Sequence, residues 1–169
     1  MSKTILVYAT RWGATTETAK EIIKVLNENY NINVDLVSLK DKKTKNIDIS
    51  SYDNVILGVS YAKFNWAKEG KDFLKKNVGL LENKKLFVFI SSGRCGGAWK
   101  DKNYEKHEGL QKKFIDNKLM KIGVKFTSRR AFGGYYINQP PEKAETRDWD
   151  MIRSWADEVG QLIVPDRKN

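Results

Sequence analysis

The chain is poor in thiol and imidazole side chains, with one cysteine and one histidine among 169 residues, and proline is also scarce, at three. A lone Cys95 closes no internal disulfide, which fits a reducing compartment. Together Cys95 and His107 offer no ligand cluster, so no metal site is expected. Long apolar runs are also missing; none approaches the ~18–20 residues that a membrane-spanning helix needs. The opening Met-Ser-Lys-Thr leads directly into a strand, leaving no room for the apolar segment of a signal peptide. These shortages predict a soluble, cytoplasmic protein with at most peripheral membrane contact.

Acidic side chains are outnumbered, 21 Asp and Glu against 31 Lys and Arg, for a formal charge of +10. Such a charge draws anionic partners from a distance, an attraction that salt weakens. An acidic protein, a carboxylate-bearing substrate, nucleic acid or an anionic membrane surface all fit it. So does a plain lysine-rich solvated face.

What is present is enough for one core: 40% of the residues are hydrophobic, at a length typical of one domain. Residues 1–169 are therefore read as a single domain. Apolar runs over 4–9, 52–60 and 85–91 are nearly continuous, as in strands buried on both faces. Residues 32–39 alternate, marking a more exposed strand, and 123–136 are strand-like with glycine interruptions. Apolar residues at helical spacing mark helices over 15–29, 68–77, 104–122 and 147–163. Strands alternating with helices imply a parallel sheet covered on both faces, and right-handed crossovers narrow this to a doubly wound sandwich of about five strands.

In such a sheet the strand-to-helix loops share one edge, where ligands bind. The first loop, "TRWGATT", lies at a helix N-terminus, which favours an anion. Gly13 allows a close approach, and the hydroxyls of Thr10 and Thr15 add uncharged donors. The loop is neither a P-loop nor a Gly-x-Gly-x-x-Gly fingerprint. A single phosphate is the sharper reading; the plain one is a helix cap at Thr10 or Thr15. The second loop, "SYAKFNW", carries Tyr61, Phe64 and Trp66, flat side chains suited to stacking on a planar ring, although Trp66 is also placed to enter the core. The third, "SSGRCGGAW", offers flexible glycine backbone to a ring's polar edge, with Trp99 as a second stacking face. A phosphorylated planar cofactor, flavin mononucleotide (FMN), matches all three.

The spacing Thr10-x-x-Gly13-x-Thr15 and the strand-helix order resemble the flavodoxin superfamily. Within it, "ATRWGATTETA", "YDNVILGVSYAKFNWAKEGKDFLKKN" and "RDWDMIRSWADEV" resemble the branch that includes menaquinone-dependent protoporphyrinogen oxidase. The resemblance implies an α/β, flavodoxin-like, doubly wound five-stranded parallel sheet in the order 2-1-3-4-5. It implies that the FMN phosphate sits on Thr10, Arg11, Trp12, Gly13, Ala14 and Thr15. The ring would lie between Ser60, Tyr61, Ala62, Lys63 and Phe64 on one side and Ser91, Ser92, Gly93, Arg94, Cys95 and Gly96 on the other. That branch carries an Ile-Arg-Tyr-Gly-like run where this chain has Tyr61, Ala62, Lys63 and Phe64. It also carries a long insertion where this chain has only "YYINQPPEKAET".

Other residues have plainer readings. Arg94 would lower the pKa of an exposed Cys95, but a bystander thiol in a flexible loop is the simpler expectation. His107 is read as a solvated surface residue, and Trp149 and Trp155 as core. Arg129 and Arg130 fit the ligand edge, a partner's carboxylates or a solvated strand end. The leading function is an FMN-containing electron carrier or small oxidoreductase with an acidic, ferredoxin-like redox partner. The alternative is a protoporphyrinogen oxidase-like enzyme using a small-molecule quinone and a porphyrinogen. A nucleic-acid-binding module is not expected, because the aromatics do not interleave with the basic residues.

Overall fold

The computed structural model describes residues 2–134, 140 and 145–165. Five strands form one parallel sheet: β1 (Thr4–Ala9), β2 (Val34–Ser38), β3 (Asn54–Ala62), β5 (Lys85–Ser91) and β6 (Ser128–Phe132). Their order is β2-β1-β3-β5-β6, which is the expected 2-1-3-4-5 when only parallel strands are counted. A sixth strand was not foreseen. The two-residue β4 (Asn65–Trp66) folds back antiparallel on β3, pairing Tyr61 with Trp66 and Ala62 with Asn65. As a result β3 runs two residues beyond its expected end.

The period of two along the strands divides the core. Ile5, Val7, Val55, Leu57, Leu86 and Val88 point to one face. There they meet α2 (Lys68–Lys76) and the long helix of α5 (Tyr104–Gln111) and α6 (Asn117–Ile122). Leu6, Ile56, Phe87 and Phe89 point to the other face, covered by α1 (Ala14–Tyr30) and α7 (Trp149–Ile163). A short α3 (Val78–Leu81) precedes β5. Trp155, fully buried as expected, meets Phe89 and Phe132 edge-on with ring centroids 5.9 and 5.7 Å away. Each such pair adds roughly 0.5–1.5 kcal/mol beyond burial. The final helix starts at Trp149, later than its pattern predicts, because the Asp148 side chain caps it by accepting from Asp150 N and Met151 N.

Two readings are corrected on this frame. Arg129 and Arg130 do not reach the ligand edge: Arg129 pairs with Glu108 and Asp116 at 2.8 Å each, and Arg130 with Glu158. His107 is buried and not solvated, with Nε2–H donating to Ala131 O at 2.9 Å and its ring edge-on to Trp99. Burial holds its pKa below the ordinary 6.5, although the Ala131 carbonyl opposes the shift. A base whose folded pKa is depressed stabilises the fold fully above its unfolded pKa, because below it the unfolded chain gains a proton that the native state refuses. Stability is therefore expected to fall as pH drops below about 6.5. Chemical denaturation of wild type and His107→Gln across pH 5–8 checks this; the variant should lose that part of the pH slope.

Candidate functional site

The strand order reverses between β1 and β3, and the C-terminal ends of these strands and of β5 form the candidate site. After β1 the chain turns sharply. Thr10 Oγ1 accepts from Gly13 N at 2.9 Å, and Gly13 adopts φ +90° as the N-cap of α1, a conformation open to glycine at little cost. No side chain caps α1, which corrects the cap reading of Thr10 and Thr15. Helix geometry leaves the first-turn N–H groups without intrahelical acceptors, and the positive end of the dipole adds to their pull on an anion. Thr15 is fully buried, its hydroxyl donating to Ser91 Oγ at 3.1 Å and so tying the first loop to the third. One turn on, Thr18 Oγ1 is a buried side-chain oxygen without a hydrogen-bond partner.

Arg11 acts through the second loop. Its backbone N donates to Ser60 Oγ at 3.1 Å, and its guanidinium donates to the carbonyls of Ala62 at 2.7 Å and Trp66 at 2.9 Å. Ser60, Tyr61 and Ala62 are strand residues, and the exposed turn is Lys63 and Phe64 alone. Both have positive φ, 51° and 64°, the requirement of a type I′ hairpin turn, usually met by Asn-Gly. Non-glycine residues there are strained by roughly 1–2 kcal/mol each. Arg11 braces the turn. The three aromatics of this segment separate: Phe64 is 82% exposed, Tyr61 stacks on Phe114 at 4.0 Å, and buried Trp66 donates through Nε1 to Phe114 O at 2.7 Å. That carbonyl belongs to a π-helical segment, Lys112–Asp116, between α5 and α6. Trp12, in the first loop, is half-exposed.

The third loop is largely helix. Ser92 caps α4 (Gly93–Lys100) by accepting from Cys95 N at 3.4 Å. Three glycines hide this helix from composition; the legible signal was a serine at the N-cap position followed by Ala98, Trp99 and Lys100. Ser91 is buried, Arg94 is exposed with its guanidinium 5.8 Å from the Phe114 ring centroid, and Gly96 faces the backbone of Gly133. Trp99 is no free stacking face: its Nε1 donates to Asp148 at 2.8 Å. Cys95 is fully buried, which corrects the flexible-loop reading. Burial pushes its thiol up to about 11 despite opposing effects of the Ser92 hydroxyl and Arg94. Thiol labelling with Ellman's reagent at pH 8 should therefore be negligible in the native protein and stoichiometric in denaturant, because thiolate and access are both lacking.

Sequence reasoning missed Arg147. Its guanidinium, 2% exposed, pairs with Glu17 at 2.7 Å and Glu145 at 2.5 Å. It also reaches Ala14 O at 3.4 Å and lies 4.7 Å from the Trp149 ring centroid. Burial pushes the Glu145 carboxyl up, but the Arg147 hydrogen bonds outweigh it and leave the group below the usual range. One buried cation thus locks the C-terminal helix to the first turn of α1. A basic residue just ahead of a capped helix was the only signal. No grouping of His, Cys, Asp and Glu among the described residues suits a metal ion. None of their helices is long and apolar enough to cross a membrane.

These features define a doubly wound α/β protein with an anion-receptive helix terminus at its topological switch. The chain belongs to the flavodoxin-domain family, whose model matches residues 5–127. No curated protein sequence matches it. Among solved structures it is similar to a rubredoxin oxygen:oxidoreductase from Desulfovibrio gigas, at 17% identity and a TM-score of 0.64, covering 98% of this chain and 37% of that one. It is also similar to flavodoxin 2 from Bacillus cereus, at 18% identity and a TM-score of 0.59, covering 95% of this chain and 99% of that one. A flavodoxin from the domain Archaea aligns at 14% identity and a TM-score of 0.56, covering 96% and 99%. The chain thus spans little more than a third of the oxidoreductase and nearly the full length of the flavodoxins.

Proposed function

We propose that this protein binds FMN at the switch between β1 and β3 and carries electrons between a cellular donor and an acceptor. The observation that carries the reading is the α1 N-terminus, which follows the C-terminal end of β1, has no side-chain cap and opens at a glycine with positive φ. The residues present fit a single phosphate. The N–H groups of Ala14, Thr15 and Thr16 and the Thr10 hydroxyl would hold it, while the Thr15 hydroxyl keeps its bond to Ser91. The braced Lys63-Phe64 turn and the start of α4 at Ser92, Gly93 and Arg94 would flank the ring. FMN, when bound, supplies the redox chemistry, and the protein supplies placement and electrostatics. Exposed Arg94 and Lys63 add positive charge to this rim, which stabilises negative charge gained there on reduction.

An acidic, ferredoxin-like protein is the partner that the +10 charge suits best. A buried thiol suits a cytoplasmic setting. None of the similar proteins named above is a porphyrinogen oxidase, so the quinone-dependent alternative gains no second observation. The test is titration of FMN with the purified chain. Quenched flavin fluorescence and a yellow complex are expected, with a more negative potential in Arg94→Ala and Lys63→Ala. Absence of quenching in protein supplied with FMN would sink the assignment, and unchanged potentials in both variants would remove the electrostatic part.

A further inference from the structure

We infer that the groove between the β3–β4 hairpin and the α5–α6 helix is a second binding site, for a small planar aromatic anion such as a ring carboxylate. A cavity of about 270 Å³ opens there, lined by Tyr61, Phe64 and Phe114 and by Lys113, Lys118 and Lys121. Its size falls just below the ~300–1,000 Å³ of sites for drug-sized ligands, so one or two fused rings are the right scale. Two aromatic walls built from these three side chains recognise a flat ring. The Tyr61–Phe114 stack, with planes 17° apart, makes one wall rigid. Phe64 forms the other, held out at 82% exposure by a turn with two residues at positive φ. Such strain persists where surrounding contacts enforce it and collects at ligand clamps, and here the enforcing contact is Arg11 on the hairpin carbonyls.

The charge pattern points to an anion. Each ion pair shown among the described residues uses an arginine, and Lys113, Lys118 and Lys121 have no carboxylate partner there. Lys118 loses hydration by partial burial and also feels the like charges of Lys71, Lys121 and Lys75. A carboxylate entering the groove relieves that repulsion while its ring fills the aromatic slot. Neither half explains the site alone: a purely apolar ligand leaves the lysines opposed, and inorganic phosphate leaves the ring walls unused.

The site shares Tyr61 and Phe64 with the proposed flavin rim but stands on its own contacts, so it is tested on the full chain without added flavin. Isothermal titration with 2-naphthoate is expected to show saturable one-to-one binding, at least tenfold tighter than with neutral 2-naphthol. Lys118→Gln should weaken naphthoate at least fivefold and leave naphthol unchanged, and Phe64→Ala should weaken both. Both positions are partly or fully exposed, and unchanged circular dichroism confirms folding. Equal affinity for naphthoate and naphthol, no saturable binding up to millimolar ligand, or displacement of naphthoate by equimolar inorganic phosphate would each overturn the inference. Flavin binding is scored separately, so either reading fails without the other.

Discussion

Gly133→Ala should lower the melting temperature by roughly 4–8 °C, whereas Gly109→Ala, the same chemical change, should raise it. A Cβ added at Gly133 would stand 2.0 Å from Thr146 O and 2.3 Å from its carbonyl carbon, and these backbone atoms have little freedom to yield. Thr146 N donates to Gly134 O, and its hydroxyl both accepts from Gly134 N and donates to Gly134 O. On the other side, Gly96 of α4 closes on the Gly133 Cα, and Ser92 N donates to Phe132 O at 2.9 Å. The added methyl must push apart the start of α4 and the lead-in to α7. Overpacking of this kind costs about 3 kcal/mol, and the reduced freedom of the unfolded chain returns up to about 1 kcal/mol. The net loss of about 2 kcal/mol gives the stated shift for a chain of this length. Gly109 is exposed in α5 with nothing near its added Cβ, so only the helix preference for alanine remains, worth roughly 0.5–1 kcal/mol in the stabilising direction. Paired thermal melts decide the matter; equal shifts in the two variants would remove the close-approach account.

The same closure shows what sequence patterns reveal and what they conceal. Strand cores such as 4–9 and 85–91 and the helix over 104–122 were legible because burial on one or two faces writes a period into the chain. The helix α4 was not, because three glycines interrupt its pattern and one of them, Gly96, meets Gly133 and Thr146, a requirement set by residues far along the sequence. His107 looked solvated among Glu105, Lys106 and Glu108, since its pocket is built from Trp99 and the Ala131 carbonyl. Likewise the two-residue β4 carries no periodic signal, and the positive φ of Lys63 and Phe64 defies local preference. The phosphate loop was readable as a turn and a helix start. Its open N-terminus and the commitment of Arg11 to the hairpin were tertiary facts.

Replacing Arg147 by methionine should weaken FMN binding about tenfold and cost the fold roughly 1–2 kcal/mol. Methionine retains much of the buried apolar stem but removes the charge that neutralises Glu17 and Glu145. Both carboxylates are partly exposed, 54% and 38% of their side chains, and rehydrate once released. The stability loss therefore falls below the ~3–5 kcal/mol of a pair that strands a buried charge. The effect on ligand is electrostatic. Glu17 lies in the first turn of α1, and without Arg147 its negative charge loses a buried counter-ion at 2.7 Å and weighs more heavily against an anion at the N–H groups proposed to hold a phosphate. A penalty near 1.4 kcal/mol corresponds to the tenfold loss. Because the interaction is between partly exposed charges, raising the salt from 20 to 500 mM should narrow the gap between variant and wild type. A second change, Glu17→Gln in the Arg147→Met background, should restore most of the affinity while leaving the stability loss largely in place. Flavin fluorescence titrations across the three proteins read out the affinities and chemical denaturation the stabilities. If Arg147→Met binds FMN as tightly as wild type at low salt, the buried arginine serves the fold alone, and the phosphate would then have to be held away from the first turn of α1.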